Sequence, residues 1–174
     1  MSVPVLETER LILRGRTMAD FPAYRDMLAD INVMRGIGGK ALNQEEAWFR
    51  FARQAGFWAL KGYGCWAVEE KHSGLFIGDV GVAEFKRHID PSLIGKPEFA
   101  WVLVAAAHGK GYATEAARAA LGWADGKFPE ATMCCIIDVR NTASIRVAEK
   151  LGFREAARTK YHADDVIVFE RSAK

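Results

Sequence analysis

Glu98-Phe-Ala-Trp-Val-Leu-Val104, followed after three alanines by His108-Gly-Lys-Gly-Tyr-Ala-Thr-Glu115, is the stretch that decides the fold. The first segment is too apolar for a solvated edge and is expected to be a buried strand. From Gly111 the period changes. Ala113, Ala116, Ala117, Ala120, Leu121, Ala124 and Phe128 fall on one helical stripe, and Pro129 stops it. A strand therefore turns into a helix through glycines 109 and 111. The first amides of a helix lack intrahelical partners and carry the positive end of its dipole, so they suit phosphate oxygens. Glycine lets the main chain approach a ligand closely and take left-handed turns. Two familiar phosphate seats are excluded by spacing. A phosphate loop needs Ser or Thr after Gly-Lys, whereas Gly111 follows Lys110; a dinucleotide fingerprint needs three spaced glycines after the first strand. On its own, the hexapeptide Gly109 to Thr114 fits a plain tight turn equally well.

Working outward, Thr132 to Val139 is expected to be another buried strand, and Asn141 to Leu151 a short helix. Asn141 can cap that helix, Ile145, Ala148 and Leu151 form its buried stripe, and Gly152 supplies a left-handed stop. Val166 to Phe169 supply a last strand. Strand, helix, strand, helix in this half predicts crossover connections with parallel pairing. Upstream, Leu6 to Arg14 has strand alternation with Leu11 and Leu13 on one side, and Thr17 or Asp20 can cap a helix reaching about Asp30. Asn43, with Glu45 and Glu46 behind it, opens a helix carrying Trp48, Phe49, Ala52 and Ala55 that fades near Lys61. Gly64 to Glu69 and Phe76 to Phe85 are strands joined by the turn Lys71-His-Ser-Gly74. The expectation is a mixed α/β protein, a sheet covered by helices, as one domain over residues 1–174, with no internal repeat.

The 174 residues carry 24 basic and 22 acidic side chains, a formal charge of +2. That balance argues against nucleic acid as partner and suits a small anionic ligand. Cys65, Cys134 and Cys135 have no metal-ligand spacing, and in a strand the adjacent pair point to opposite faces, so no metal site is expected. The amino terminus lacks the regions of a signal peptide, and the longest apolar run, Phe99 to Ala107, is too short to span a bilayer. A soluble, cytoplasmic protein without membrane association is expected.

Three stretches taken in order, Leu6-Glu-Thr-Glu-Arg-Leu-Ile-Leu-Arg14, Gly109-Lys-Gly-Tyr-Ala-Thr-Glu-Ala116 and Asn141 through Phe153, resemble the GNAT acetyltransferase superfamily. Within it they look like the branch that includes ribosomal-protein alanine acetyltransferases. The resemblance implies a mixed, mostly antiparallel sheet splayed between two central strands, with helices on both faces, and acetyl-CoA as cosubstrate. Main-chain groups of Val102, Leu103 and Val104 would pair with the pantetheine arm. The N–H groups of Gly109, Lys110, Gly111, Tyr112, Ala113 and Thr114 would hold the pyrophosphate, and Asn141 would bond the pantetheine region or simply cap its helix. A main-chain donor left open by the splay would stabilise the oxyanion. The sequence departs from the family at two positions. His108 stands where Gln or Arg is common, so it is expected near the phosphates without a direct role. Ala148 stands where many members carry a proton-donating Tyr, and Ser144 is the nominated substitute, against a plain first-turn role.

For the general base the resemblance points to Glu98, whose burial would favour its neutral form, with Glu84 on the Val80/Val82 face as second choice; either could equally be a strand-end ion pair. His72, His88 and His162 read as surface residues. Trp48, Phe49, Phe51, Phe57 and Trp58 lie in the region that lines the acceptor cleft in this superfamily, although core packing is the commoner fate of such a cluster. Gly36-Ile-Gly-Gly39 reads as a connector, or as a flap over the site. The implied reaction is direct acetyl transfer to a primary amine in a ternary complex, since no Cys-His or Ser-His arrangement is evident. A protein amino terminus is the favoured acceptor, with small amines as the alternative and a non-catalytic acyl-CoA-binding module kept open by Ala148. A homodimer is compatible with the superfamily's habits.

Overall fold

The computed structural model describes residues 2–172. In chain order the elements are β1 (Leu6–Glu7), β2 (Leu11–Arg14), α1 (Phe21–Ala29), α2 (Ile31–Met34), α3 (Gln44–Lys61), β3 (Cys65–Glu70), β4 (Leu75–Ala83), β5 (Glu98–Leu103), α4 (Tyr112–Lys127), β6 (Thr132–Asp138), α5 (Thr142–Lys150), β7 (Arg154–Tyr161) and β8 (Asp164–Ser172). The strands form one sheet in the order β1-β2-β3-β4-β5-β6-β8-β7. Every neighbouring pair is antiparallel except β5 with β6.

Local chemistry sets the helix ends. Asn43 Oδ1 accepts from Glu46 N–H at 2.9 Å and the Glu46 carboxylate answers on Asn43 N–H at 2.9 Å, opening α3; Gly62, at φ 68°, closes it. Met18–Asp20 form a single 3-10 turn behind Thr17, whose N–H donates to Asp20 at 2.7 Å, and α1 follows. Asp30 ends α1 and caps α2, accepting from Asn32 N–H at 2.8 Å. The stretch expected as one strand from Leu6 is two, because Thr8 bonds Leu11 and turns the chain back so that Leu6 pairs with Leu13.

The alanine stripe of α4 lets this helix lie close on one face of the sheet. Ala116, Ala117, Ala120, Leu121 and Ala124 are buried against Leu11, Leu13, Trp66, Val80 and Val82. On the opposite face Tyr24, Met27 and Leu28 of α1 and Phe51 of α3 pack with Ala67 and Phe76. Helices thus cover both faces. Among the described residues no helix is long and apolar enough to cross a membrane.

Both helical connections are crossovers between parallel strands, but the expected parallel pairing holds for one of them only. From β5 the chain passes through α4 to β6, a parallel neighbour; from β6 it passes through α5 to β7, and β8 returns to pair antiparallel with β6. The sequence reading missed β7. Its exposed, highly charged run Arg154-Glu-Ala-Ala-Arg-Thr-Lys-Tyr161 lies at the sheet edge and buries little, so it carries no apolar alternation. The parallel pair β5–β6 is itself brief. Its register consists of Glu98 opposite Cys134, with Cys134 N–H donating to Pro97 O at 3.0 Å, and beyond that point the strands diverge.

Candidate active site

The divergence leaves one edge of β5 open, and the ladder on the other side decides which groups face the gap. Val104 N–H donates to Ile77 O at 2.9 Å. Antiparallel pairing alternates, so Val102, Ala100 and Glu98 also spend their main-chain groups on β4, opposite Asp79, Gly81 and Ala83. Phe99 turns its main-chain groups towards β6 at the brief parallel pair, and Trp101 and Leu103 turn theirs to the gap. Of the trio expected to meet a ligand, only Leu103 therefore turns its main-chain groups to the gap, although Val102 also lines the groove. Val104 is tied at both ends, its carbonyl accepting from Ala107 N–H at 2.9 Å. Leu103 O hydrogen-bonds the His108 ring at 2.9 Å, so His108 braces the strand.

A groove of about 840 Å3 runs from this edge to the start of α4 and across to α5. Gly109 and Gly111 both take left-handed conformations, φ 74° and 82°. The first helical bond runs from Glu115 N–H to Gly111 O at 3.1 Å. Among the described residues no protein group accepts from the main-chain N–H groups of residues 109–114. Gly109 and Gly111 through Thr114 line the groove, while the Lys110 side chain points to solvent. The opposite wall holds Arg35, Arg140, Arg146 and Lys150 and no acid. A row of unpaired amides at a helix start, faced by cations, is a seat for a polyanion.

The turn is held from outside. Arg10 Nη1 donates to Lys110 O at 3.0 Å, its Nε donates to Glu115 Oε2 at 2.7 Å, and its guanidinium lies 4.5 Å from the Tyr112 ring centre. Thr8 Oγ1 donates to Glu115 Oε1 at 2.6 Å, and the Tyr112 hydroxyl donates to Glu70. Tyr112 thus gives the groove its main chain and anchors its ring elsewhere. Nothing local in the sequence announced Arg10, which lies about a hundred residues from its partners.

Asn141 has two jobs. Its Oδ1 accepts from Ser144 N–H at 3.1 Å, capping α5, and its Nδ2 donates to Gly36 O at 3.2 Å. A Cβ on Gly36 would lie 2.3 Å from that nitrogen, so glycine is what permits the approach. The 36–38 segment is thereby part of the site rather than a mere connector. Asn141 and Ser144 line both the groove and a second cavity of about 430 Å3 that joins it through the splay. Ala148 is fully buried.

Glu98 lies in the wall of that second chamber, almost wholly buried, with Arg87 forked on it: Nε to Oε2 at 2.8 Å and Nη2 to Oε1 at 2.7 Å. Phe85 and Tyr161 flank the guanidinium at 4.8 and 5.0 Å. Glu84 lies elsewhere. β4 ends at Ala83, Glu84 pairs with Lys61 at 2.7 Å, and that hydrogen bond holds its carboxyl below the ordinary range; it is absent from the walls of both cavities. The α3 aromatics do not line the chamber either. Phe51 and Trp58 are core, Trp48 and Phe49 are exposed, and α3 contributes Arg50 and Gln54 instead. His162 is exposed, as expected, and stands at the β7–β8 turn beside Tyr161, where it also borders the chamber. Burial pushes the Cys65 thiol, also in that wall, up to about 12, and Cys135 well above its usual value, so both are neutral thiols. Among the described residues no group of three or more His, Cys, Asp or Glu could hold a metal ion.

Comparison with known proteins agrees with this architecture. Residues 10–154 match the family model of the acetyltransferase (GNAT) domain. The chain is 34% identical to the Bacillus subtilis protein YkkB over 172 residues, 97% of this chain and 95% of that one. An acetyltransferase from Agrobacterium tumefaciens superposes with a TM-score of 0.83 at 31% identity, covering 98% of this chain and 95% of the other. RimL, the ribosomal L7/L12 alpha-N-protein acetyltransferase, solved in complex with coenzyme A, superposes with a TM-score of 0.73 at 14% identity over 97% of this chain and 98% of its own, a likeness of fold alone. With the splayed sheet, the strand-to-helix turn and the match over most of its length, the chain belongs to the GNAT acetyltransferase family.

Proposed function

We propose that the protein transfers an acetyl group from acetyl-CoA to a primary amine, both bound at once and with no covalent enzyme intermediate. The observation that carries this reading is the row of amides at 109–114 without protein acceptors, at one end of a basic groove whose other end opens into a separate chamber. The amides would hold the diphosphate, and Arg35, Arg146 and Lys150, which have no ion-pair partner among the described residues, would meet the remaining negative charge. The open edge of Trp101 and Leu103 would pair with the pantetheine amides as an added strand does. Acetyl-CoA supplies an acyl group already activated as a thioester.

The chain's own groups then divide the proton work. Glu98 is the carboxylate of the chamber wall assigned to take the proton of the incoming ammonium, while Arg87 fixes its orientation. Ser144 Oγ, shared by both cavities, is assigned to return a proton on the cofactor side; Ala148 in the same helix carries no such group. An N–H of the open β5 edge would stabilise developing negative charge. The neutral thiols of Cys65 and Cys135 support direct transfer, because neither is an activated nucleophile.

Likeness to RimL at 14% identity leaves the acceptor open between a protein amino terminus and a small amine. Thiol release from acetyl-CoA tests the reading. Release is expected only with a primary amine present. Thiol released without amine, leaving acetylated protein, contradicts direct transfer; CoA binding with no release for any amine reduces the protein to an acyl-CoA-binding module.

A further inference from the structure

One wall of the chamber carries a polar group that the transfer chemistry does not use. Asp79 comes from β4, Arg50 and Gln54 from successive turns of α3, and Tyr24 from α1. Asp79 is 3% exposed and Gln54 5%. Asp79 Oδ2 accepts from Arg16 Nη2 at 3.0 Å, but Asp79 Oδ1 and Gln54 Oε1 are buried and no protein group donates to either. Arg16 cannot supply the missing bonds. Its Nε and Nη1 find no protein acceptor, and its guanidinium lies 5.0 and 5.4 Å from the Phe51 and Tyr24 ring centres. Asp79 and Gln54 both line the chamber, and each keeps a buried acceptor oxygen that no protein group answers, so a donor carried by a ligand in the chamber could offset the cost of leaving them unpaired.

The chamber and the cofactor groove also differ in charge. The groove wall is basic without an acid, whereas the chamber wall holds Asp79, Glu98, Asp138 and Asp164 against Arg50 and Arg87. Arg140 pairs with both Asp138 and Asp164, Arg87 with Glu98 and Arg16 with Asp79, where burial pushes the carboxyl up despite the neighbouring guanidinium. Arg50 also lines the chamber and has no ion-pair partner among the described residues, so the wall mixes both signs where the groove wall is basic alone. Between the two polar ends the lining is apolar, made of Phe99, Ala100, Val102, Ile136 and Ile137.

We propose that the chamber takes a small bifunctional amine, one amino group of which is acetylated at the splay while hydrogen-bond donors at its other end, a second amine or a hydroxyl, are held by Asp79 Oδ1 and Gln54 Oε1. This rests on the acetyl-transfer reading above and names its acceptor class.

Three probes of equal heavy-atom count separate the possibilities: pentylamine, aminobutanol and diaminobutane, with a short peptide as a fourth acceptor, each assayed by thiol release from the full chain at saturating acetyl-CoA. The bifunctional amines are expected to exceed pentylamine in kcat/KM by about 10- to 100-fold, as buried hydrogen bonds to substrate allow. Gln54→Met, which keeps the volume and removes the acceptor, should lower that ratio through KM of the bifunctional amines, with pentylamine turnover and CoA affinity unchanged. Asp79→Asn, which keeps an oxygen for Arg16, should weaken diaminobutane more than aminobutanol. Equal efficiency of the three amines, preference for the peptide, or a ratio untouched by both folded variants overturns the subsite while leaving acetyl transfer in place. Absence of turnover with every acceptor overturns acetyl transfer, and the subsite with it.

Discussion

Replacing Gly111 with valine separates folding from ligand binding at the feature on which the function depends. Gly111 holds φ 82° and ψ −2° as the residue before α4. A side chain with a β-carbon costs about 1–2 kcal/mol there, more at the upper end for a branched one. The added Cβ would approach Arg10 Nη2 at 3.4 Å, the far end of a flexible side chain, so no backbone clash compounds the strain. Against a total stability of about 5–15 kcal/mol the variant should fold, melting about 2–8 °C lower. Binding should suffer far more. If the turn relaxes, the amides on either side of residue 111 rotate away, and each hydrogen bond to a charged group is worth about 1.5–3 kcal/mol. Losing two weakens CoA by roughly 10²- to 10⁴-fold. Calorimetric titration with CoA, beside a thermal melt, measures both. Gly122→Ala is the control: it lies within α4, its Cβ would meet nothing within 4 Å, and it should add stability without changing affinity. A folded Gly111→Val that binds CoA as the parent does, or an equal loss in Gly122→Ala, would refute the reasoning.

Other expectations follow from the same geometry. Ser144→Ala should lower turnover by about 10-fold, less than general acids commonly give because a thiolate leaves readily, and should spare CoA affinity; parental turnover removes Ser144 from the mechanism. Glu98→Gln should cut kcat by about 10²- to 10⁴-fold while sparing CoA affinity, and parental turnover excludes it as base. Burial pushes Asp20 up, but hydrogen bonds from Arg14 and Thr17 outweigh it and hold its carboxyl below its ordinary value. A depressed carboxyl contributes stability above its unfolded value of about 3.9 and loses it as pH falls through the lower folded value. Urea titrations from pH 5 downward should therefore show a shallower loss for Asp20→Asn than for the parent, and parallel curves would contradict the assignment.

What was legible in the sequence, and what was not, follows from how far each feature reaches along the chain. The α4 stripe, the glycine turn and the Asn141 cap are local patterns, and the structure has them where their spacing puts them. The splay is not a local pattern; it came with the resemblance to the family. Which β5 main-chain groups face the open side follows from the phase of the ladder with β4, so Trp101 rather than Val102 turns its groups there, with no trace in composition. Among the α3 aromatics, Phe51 and Trp58 take the core packing that is the commoner fate of such a cluster, and none lines the chamber. The buried stripe is Ala47, Phe51, Gln54 and Trp58, and the informative member is the polar one, Gln54, which sits in an apolar row with an unanswered oxygen. Asp79 offered a similar hint as a charge in the middle of the apolar run Phe76 to Ala83, but its partner Arg16 lies 63 residues away. Glu98 and Glu84 looked alike as strand-end acids; only the end of β4 at Ala83 separates the chamber residue from the surface ion pair.

The central claim is that main-chain amides at the start of α4 seat the diphosphate of CoA, and a crystal structure of the protein with CoA tests it most directly. The account predicts diphosphate oxygens about 3 Å from amide nitrogens of residues 109–114, with the pantetheine arm laid along Trp101 and Leu103. A complex in which protein groups fill those amides while CoA binds at another surface would contradict it.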